Sequence, residues 1–317
     1  MLPAAHQARP MLPSWALFGV GTVLVAGTGV GALPEVLGRL LAPVALVLLF
    51  HVSPGRALLA TASGVLLLLL LAGDLILVGR TALPVGASGL LLGRGFARRL
   101  PPRRVIAEGV LPFVLVSLPF FFHPSVEEAR AAEVEKTVAT SMNVYRGLGE
   151  DEATLAGMEG MVRSAAQAAA TVAPATEVLL LLAITLLVYR LSSRLLRRYG
   201  VTVNEIAPFR WWRAPFILVW FFAAGLALLL WAGVPLADVG GNVVVFCAGV
   251  YLVQGTAVLA WQCKRRRIPA AAQWILFAAM VLLVFPLFLV LTTGTGLFDT
   301  WFDFRKLGEA PENGSAS

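Results

Sequence analysis

A serine set among small residues is the first group in this chain whose surroundings suggest chemistry. Gly86-Ala87-Ser88-Gly89 lies within an apolar run, where a nucleophilic serine would serve acyl transfer. That reaction needs a general base within hydrogen-bond distance of the hydroxyl group. The three histidines, His6, His51 and His123, all lie at or beyond the ends of apolar runs, so none is placed to act. We therefore expect no catalytic residue, and we interpret the glycines as small residues that let helices approach closely.

An arginine inside an apolar run is a better candidate for a binding residue. Charged side chains are costly in lipid and usually face a cavity or a partner. Arg80 lies in such a run, six residues after Asp74. Either the two side chains pair at the membrane surface, or Arg80 holds an anionic group of a small molecule.

Polar residues also share one face of a later apolar run. Cys247, Tyr251 and Gln254 follow the i, i+4, i+7 spacing of a helix face, and Asn242 opens the same helix. Such groups either form hydrogen bonds between helices or line a ligand site. The sharper hypothesis is a small-molecule site formed by Arg80, Asn242, Tyr251 and Gln254.

Two aspartates near the end of the chain could share a helix face. Asp299 and Asp303 are four residues apart, and Arg305 follows closely. A divalent cation would need more oxygen ligands than these two residues supply. We therefore expect neither a metal nor a cofactor. Together with Asp74, these residues are interpreted as a structural polar network.

The elements that must position these residues are long apolar runs. Hydrophobic residues make up 58% of the 317 residues, and the mean hydropathy is +0.82. The runs are continuous rather than alternating, which predicts membrane-spanning helices of about 20 residues. Nine candidate spans are 15–33, 37–50, 56–72, 75–93, 105–122, 177–196, 215–234, 241–261 and 271–291. An alternative of eight spans merges 56–79 into one helix and makes 83–93 a re-entrant piece. The predicted fold is an all-α polytopic transmembrane bundle.

Arginine clusters indicate how the bundle is oriented. They lie at 94–104, 190–213 and 264–267, and the positive-inside rule places them in the cytoplasm. With nine spans, the N-terminus is cytoplasmic and the C-terminus is extracytoplasmic, whereas with eight spans the assignment of the N-terminal side inverts. The net charge of +7 comes largely from these clusters rather than from a surface interleaved with aromatic residues, so no nucleic-acid partner is expected.

One long segment is polar and mostly acidic, and its apolar residues recur at helical spacing. We predict an extracytoplasmic helical hairpin at 123–174, broken near Gly147-Leu148-Gly149. The hairpin separates an N-terminal transmembrane bundle from C-terminal transmembrane helices. The predicted organisation is therefore 1–122, 123–174, 175–296 and a C-terminal segment with a disordered tail at 297–317.

Motifs in the second half of the chain resemble a known family. They are the Phe209–Pro215 segment, Asn242, Tyr251-x-x-Gln254-Gly255 and Asp299-x-x-x-Asp303-Phe304-Arg305. In combination they resemble the YybS-type family of bacterial multi-pass membrane proteins of unknown function.

The N-terminal part of that family is similar to the S component of energy-coupling-factor vitamin transporters. This similarity would cover residues 15–122 here, including Ala87-Ser88-Gly89-x-x-x-Gly93. It implies a six-helix bundle that binds a small molecule near its outer face and docks a coupling module through small residues. The acidic segment and the helices after it exceed a usual S component, and no vitamin-specific residue set is recognisable.

These observations favour an integral inner-membrane protein that is small-molecule-binding and transporter-related. Its partners would be the lipid bilayer, a small molecule and a coupling module or envelope protein. The alternative is a non-catalytic scaffold that recruits envelope partners through its outer hairpin and basic inner loops. An enzyme acting on a lipid-linked substrate ranks third. Convergence of Arg80, Asn242 and Gln254 on a closed cavity would favour binding, and pairing in a filled core would favour the scaffold.

The orientation can be tested by cysteine labelling in intact cells. Single cysteines at Arg98 and Arg265, introduced after replacement of Cys247 and Cys263, are expected to resist a membrane-impermeant maleimide. They should react once the membrane is permeabilised. Labelling of either position in intact cells would contradict the predicted membrane orientation.

Overall fold

Helices account for the regular structure of the part of the chain that is described. The computed structural model describes residues 13–121, 124–148, 151–204, 206–283 and 285–306. The α-helices in these ranges are α1 Ser14–Gly27, α2 Ala32–Val52, α3 Pro54–Ala72, α4 Leu75–Arg80, α5 Ala82–Ala97, α6 Pro102–Phe121, α7 Pro124–Gly147, α8 Glu152–Thr171, α9 Ala173–Arg198, α10 Leu218–Trp231, α11 Val234–Arg265, α12 Ala270–Leu283 and α13 Phe285–Phe302. A single 3-10 turn, Phe209–Trp211, precedes α10. The all-α polytopic bundle predicted from the sequence is confirmed.

Several of these helices are long and apolar enough to cross a membrane. Within the described ranges they number five: Leu33–Val52, Pro54–Ala72, Leu75–Ala97, Ala173–Arg198 and Leu236–Arg265. The pair α12 and α13 passes the same test as one broken span, while α1 and α10 are apolar but have only 14 residues each. The chain is therefore multi-pass, and the count of nine spans stays a prediction.

A short turn separates α3 from α4. Gly73 takes the left-handed conformation at φ 64°, which glycine adopts without steric cost. Asp74 then caps α4, its carboxylate accepting from the backbone N–H groups of Ile76 and Leu77 at 2.8 and 3.1 Å. The single helix over 56–79 that the eight-span alternative requires is therefore not formed.

The last predicted span, 271–291, is broken in the structure. The axes of its two parts differ by 113°, and the second part begins at Phe285, one residue before Pro286. Proline lacks an N–H group and its ring obstructs the preceding helical turn, so it is accommodated at the start of a helix. The helix α13 runs on to Phe302 and carries Asp299 near its end.

Contacts divide the chain into two units. The first unit comprises Met1–Asp151 and Leu180–Ile206, and the second comprises Glu152–Leu179 and Ala207–Ser317. This division differs from the segments expected from hydropathy, because α7 belongs to the first unit, α8 to the second, and α9 contributes to both. The predicted tail beyond residue 306 lies outside the described residues.

Small residues bring α5 of the first unit close to α2. A Cβ atom added to Gly89 would meet the side chain of Leu46, and one added to Gly93 would meet that of Phe50. Ser88, directly before Gly89, is buried with 1% exposure. Close backbone approach is a common way to pack helices in lipid, where burial of apolar surface gives little driving force.

In the second unit, α11 and α13 cross at two glycines. A Cβ atom on Gly255 would collide with the carbonyl oxygen of Thr292, and one on Gly296 would collide with that of Tyr251. The two backbones therefore touch, and the side chains beside the crossing face each other directly.

Replacement of Gly296 by alanine should destabilise the second unit. The new methyl group has to displace the α11 backbone, at a cost of about 1–3 kcal/mol. Gly294→Ala is the matched control on the same helix, since a Cβ atom there meets nothing within 4 Å. Thermal unfolding in detergent should show a lower midpoint for Gly296→Ala only. Equal midpoints for the two variants would contradict the crossing.

Candidate functional site

A buried ion pair lies beside this crossing. Nη2 of Arg305 donates to Oδ2 of Asp299 at 2.7 Å, and both side chains are fully buried. Asp303, at φ 41°, turns the chain after α13, and this turn lets Arg305 reach back to α13. The i, i+6 pair thus depends on the end of the helix rather than on a helix face.

The same guanidinium group also holds the non-helical segment before α10. Nη1 of Arg305 donates to the carbonyl oxygens of Arg210 and Trp212, both at 2.9 Å. These carbonyl groups belong to a 3-10 turn and the residue after it, which leave them without a regular helical partner. Arg305 therefore links the end of α13 to the entry of α10.

Gln254 completes what we call the buried polar network. Its Nε2 donates to Oδ2 of Asp299 at 2.9 Å and to the hydroxyl of Thr300 at 3.4 Å, and its Oε1 accepts from the backbone N–H of Ala214 at 2.9 Å. Arg213 adds a hydrogen bond from Nη2 to the carbonyl of Thr300 at 3.0 Å. Three pieces of chain, α11, α13 and the segment 209–214, are joined by these contacts.

The network leaves two polar atoms without a partner. Among the described residues, Oδ1 of Asp299 and Nε of Arg305 are buried and make no hydrogen bond. A buried polar atom without a hydrogen bond costs roughly 1–3 kcal/mol. The surrounding chain therefore holds the pair in place, and removal of either partner should lower the stability of the fold.

Asn242 lies elsewhere in the second unit. Its Oδ1 accepts from the backbone N–H of Ala175 at 3.0 Å, and its Nδ2 donates to the carbonyl groups of Thr171 and Asp238 at 2.9 Å each. It thus bridges the junction between α8 and α9. Backbone groups thus occupy both N–H donors of the amide and one lone pair of its oxygen, which is the pattern of a structural bridge.

Tyr251 is fully buried on α11. Its ring meets Phe222 edge to face at 6.1 Å, and its hydroxyl has no hydrogen-bond partner within the described residues. Arg80 belongs to the first unit, where it is exposed at the end of α4, and Asp74 caps that helix. Of the predicted ligand residues, Tyr251 and Gln254 lie one turn apart on α11, and Asn242 lies three turns before Gln254.

A cavity of about 430 Å³ lies on another face of α11. Its wall on this helix has the i, i+3, i+4, i+7 spacing of one helical face, and side chains from α12, α13 and the 3-10 turn form the other walls of an open cavity. The lining residues are Phe209, Thr256, Leu259, Ala260, Cys263, Gln273, Trp274, Phe277, Met280 and Phe288.

The cavity was not predicted from the sequence. The spacing of the lining residues on α11 could have indicated it. A search guided by polar residues misses it, because most of the lining is apolar. Phe209 connects the two features, because it lines the cavity and belongs to the segment held by Arg305. Two polar side chains of the lining form hydrogen bonds with nearby backbone groups. Thr256 donates to the carbonyl of Val253, and Gln273 donates to that of Ile268.

Replacement of Asp299 by asparagine should strongly destabilise the second unit. Arg305 would then be buried without a counter-charge, which costs about 3–5 kcal/mol. The exposed pair of Glu159 and Arg163 on α8 offers a control, and Glu159→Gln should change stability by less than about 1 kcal/mol. Unfolding midpoints in detergent compare the two. A double variant Asp299→Asn with Arg305→Gln should lose less than the sum of the single losses.

Comparison with known proteins identifies the family of the chain. No curated protein and no solved structure matches it significantly. A family model described as "Predicted membrane protein (DUF2232)" matches residues 22–300, a range that includes α11, most of α13 and the 209–214 segment. Since the match extends through both units and most of the chain, the protein is a member of the DUF2232 family of membrane proteins.

Proposed function

We propose that this integral membrane protein binds a small apolar or amphipathic molecule in the cavity of its second unit. The carrying observation is the cavity itself, whose volume of about 430 Å³ lies within the range of roughly 300–1,000 Å³ typical of ligand sites. We further propose an inner-membrane location, with the arginine clusters in the cytoplasm.

The lining defines the class of ligand. Four aromatic side chains, Phe209, Trp274, Phe277 and Phe288, supply apolar surface, and Phe277 meets Phe288 edge to face at 5.4 Å. The polar groups of Thr256 and Gln273 are already bonded to carbonyl oxygens. A ligand with an acyl, isoprenoid or aromatic body fits this lining better than a polar metabolite does.

The buried polar network supports binding indirectly. It fixes the 209–214 segment against α11 and α13, and this segment presents Phe209 to the cavity. Gln254 therefore acts as a positioning residue in this proposal rather than as a ligand contact.

A relation to transporters is supported by the first unit. Apart from the polar helix α7, its described part contains six helical stretches, counting α4 and α5 as one: α1, α2, α3, α4–α5, α6 and the α9 residues from Leu180 onward. Six helices is the number that the resemblance to an S component implies. The proposal therefore includes transport of a substrate and a coupling module as a partner.

A non-catalytic scaffold is the second candidate. Gln254 and Asn242 pair inside the protein instead of converging on a cavity, which is the outcome expected of a filled structural core. Exposed apolar side chains at Leu148, after α7, and at Met161, on α8, would offer docking points for an envelope partner, at 72% and 76% exposure.

Filling the cavity distinguishes the two candidates. Ala260→Phe places a ring inside the cavity, and Ala272→Phe adds the same ring to an exposed position of α12. Mass spectrometry of small molecules extracted from the detergent-purified protein should find an apolar species in the wild type and in Ala272→Phe. Ala260→Phe should reduce its amount by about tenfold or more, because there is no longer room for it. Equal recovery from all three proteins, or none from any, would favour the scaffold.

A further inference from the structure

A dense group of exposed arginines lies on the first unit, independent of the cavity. Two stretches far apart in sequence contribute to it, and all nine side chains are exposed: Arg94, Arg98, Arg99, Arg103, Arg104, Arg190, Arg194, Arg197 and Arg198. The described residues of these stretches, 89–108 and 188–204, contain a single acid, Glu108, which pairs with Arg104 at 2.9 Å. We call this group the arginine surface.

Specific contacts bring the two stretches together. Phe96 of α5 stacks on Tyr189 of α9 with ring centroids 4.8 Å apart. The Tyr189 hydroxyl donates to the carbonyl of Asn204 at 2.8 Å, and the Asn204 amide donates to the carbonyl groups of Arg99 and Leu100 at 2.9 and 3.1 Å. The turn between α5 and α6 is thereby fixed against the segment that follows α9.

Arg99 occupies a backbone position that usually belongs to glycine. It has a φ of 51°, and the bonds from Arg99 N–H to Phe96 O and from Leu100 N–H to Gly95 O are those of a Schellman motif. A side chain in this left-handed conformation is disfavoured relative to glycine. The arginine is therefore present despite a local conformational cost, which points to a role for its side chain.

We infer that the arginine surface binds the phosphodiester headgroups of anionic phospholipids. Every basic side chain on it is arginine, whose planar guanidinium group forms paired hydrogen bonds with phosphate oxygens, whereas lysine acts as a point charge. The positive-inside rule is met by either residue, so it does not account for this choice.

The position of the surface favours lipid over a soluble polyanion. The arginines lie toward the ends of α5 and α9, which belong to membrane-length spans, and at the start of α6. In a bilayer, such positions are expected to place guanidinium groups at the depth of the lipid headgroups. Exposed aromatic rings of the kind that stack with nucleic-acid bases are lacking in the described residues 89–108 and 188–204, where Phe96 and Tyr189 are buried and Tyr199 is half-buried.

Lipid titration of the detergent-solubilised full-length protein tests this inference. A variant with Arg98→Gln, Arg99→Gly, Arg194→Gln and Arg198→Gln should bind phosphatidylglycerol about tenfold or more weakly in native mass spectrometry. Its control removes the same charge from α7 and α8 through Arg130→Gln, Lys136→Gln, Arg146→Gln and Arg163→Gln, and should bind as the wild type does. Wild-type binding should weaken with added salt, and phosphatidylcholine should bind weakly to all three proteins.

The single variant Arg99→Gly separates binding from folding. It relieves the left-handed strain, so its unfolding midpoint in zwitterionic detergent should equal or exceed that of the wild type while its binding of phosphatidylglycerol falls. Unchanged lipid binding in both arginine variants would overturn the inference. Full competition by glycerol phosphate would also overturn it in favour of a free phosphate compound, and a preference for a short RNA over lipid would overturn it in favour of nucleic acid.

Discussion

An ion pair that water does not reach holds the second unit together. A charge moved from water into a medium of low dielectric constant loses several kcal/mol of solvation, and only a close partner with further hydrogen bonds offsets this loss. Arg305 meets that requirement through Asp299 and two backbone carbonyl groups, and Gln254 supplies an additional donor to the same carboxylate oxygen. The surrounding chain must therefore adopt one arrangement, because any other leaves a charge unpaired.

This requirement explains why an irregular segment can lie next to apolar helices. Backbone N–H and C=O groups outside a helix need hydrogen-bond partners, and inside a membrane protein water is not always present to provide them. The carbonyl groups of Arg210 and Trp212 and the N–H of Ala214 find theirs in side chains of α13 and α11. The rigid segment then becomes a wall of the apolar cavity through Phe209, so a polar network determines the shape of an apolar site.

The sequence predicts the helices better than it predicts the polar contacts. Hydropathy is a property of each run, and most of the expected spans correspond to helices. It does not foresee the break before α13 or the shared membership of α9 in two units. Asp299 and Asp303 are four residues apart, which suggests a common face, yet the observed partner of Asp299 is Arg305, six residues on. That contact depends on a left-handed residue after the helix, which no periodicity encodes.

The ends of helices emerge as the places where charge and backbone geometry are coupled. Arg99 and Asp303 both adopt positive φ, and each turns the chain so that polar groups around a helix end meet. At Arg99 the turn leaves arginine side chains exposed, and at Asp303 it carries a guanidinium group into the protein. The difference follows from the acceptors nearby. A carboxylate and two carbonyl groups accept the buried arginine, whereas the described residues 89–108 and 188–204, which carry the exposed arginines, contain a single acid. A guanidinium group has only hydrogen-bond donors and therefore needs acceptors. Arg305 finds them inside the protein, whereas the exposed arginines must find them outside it.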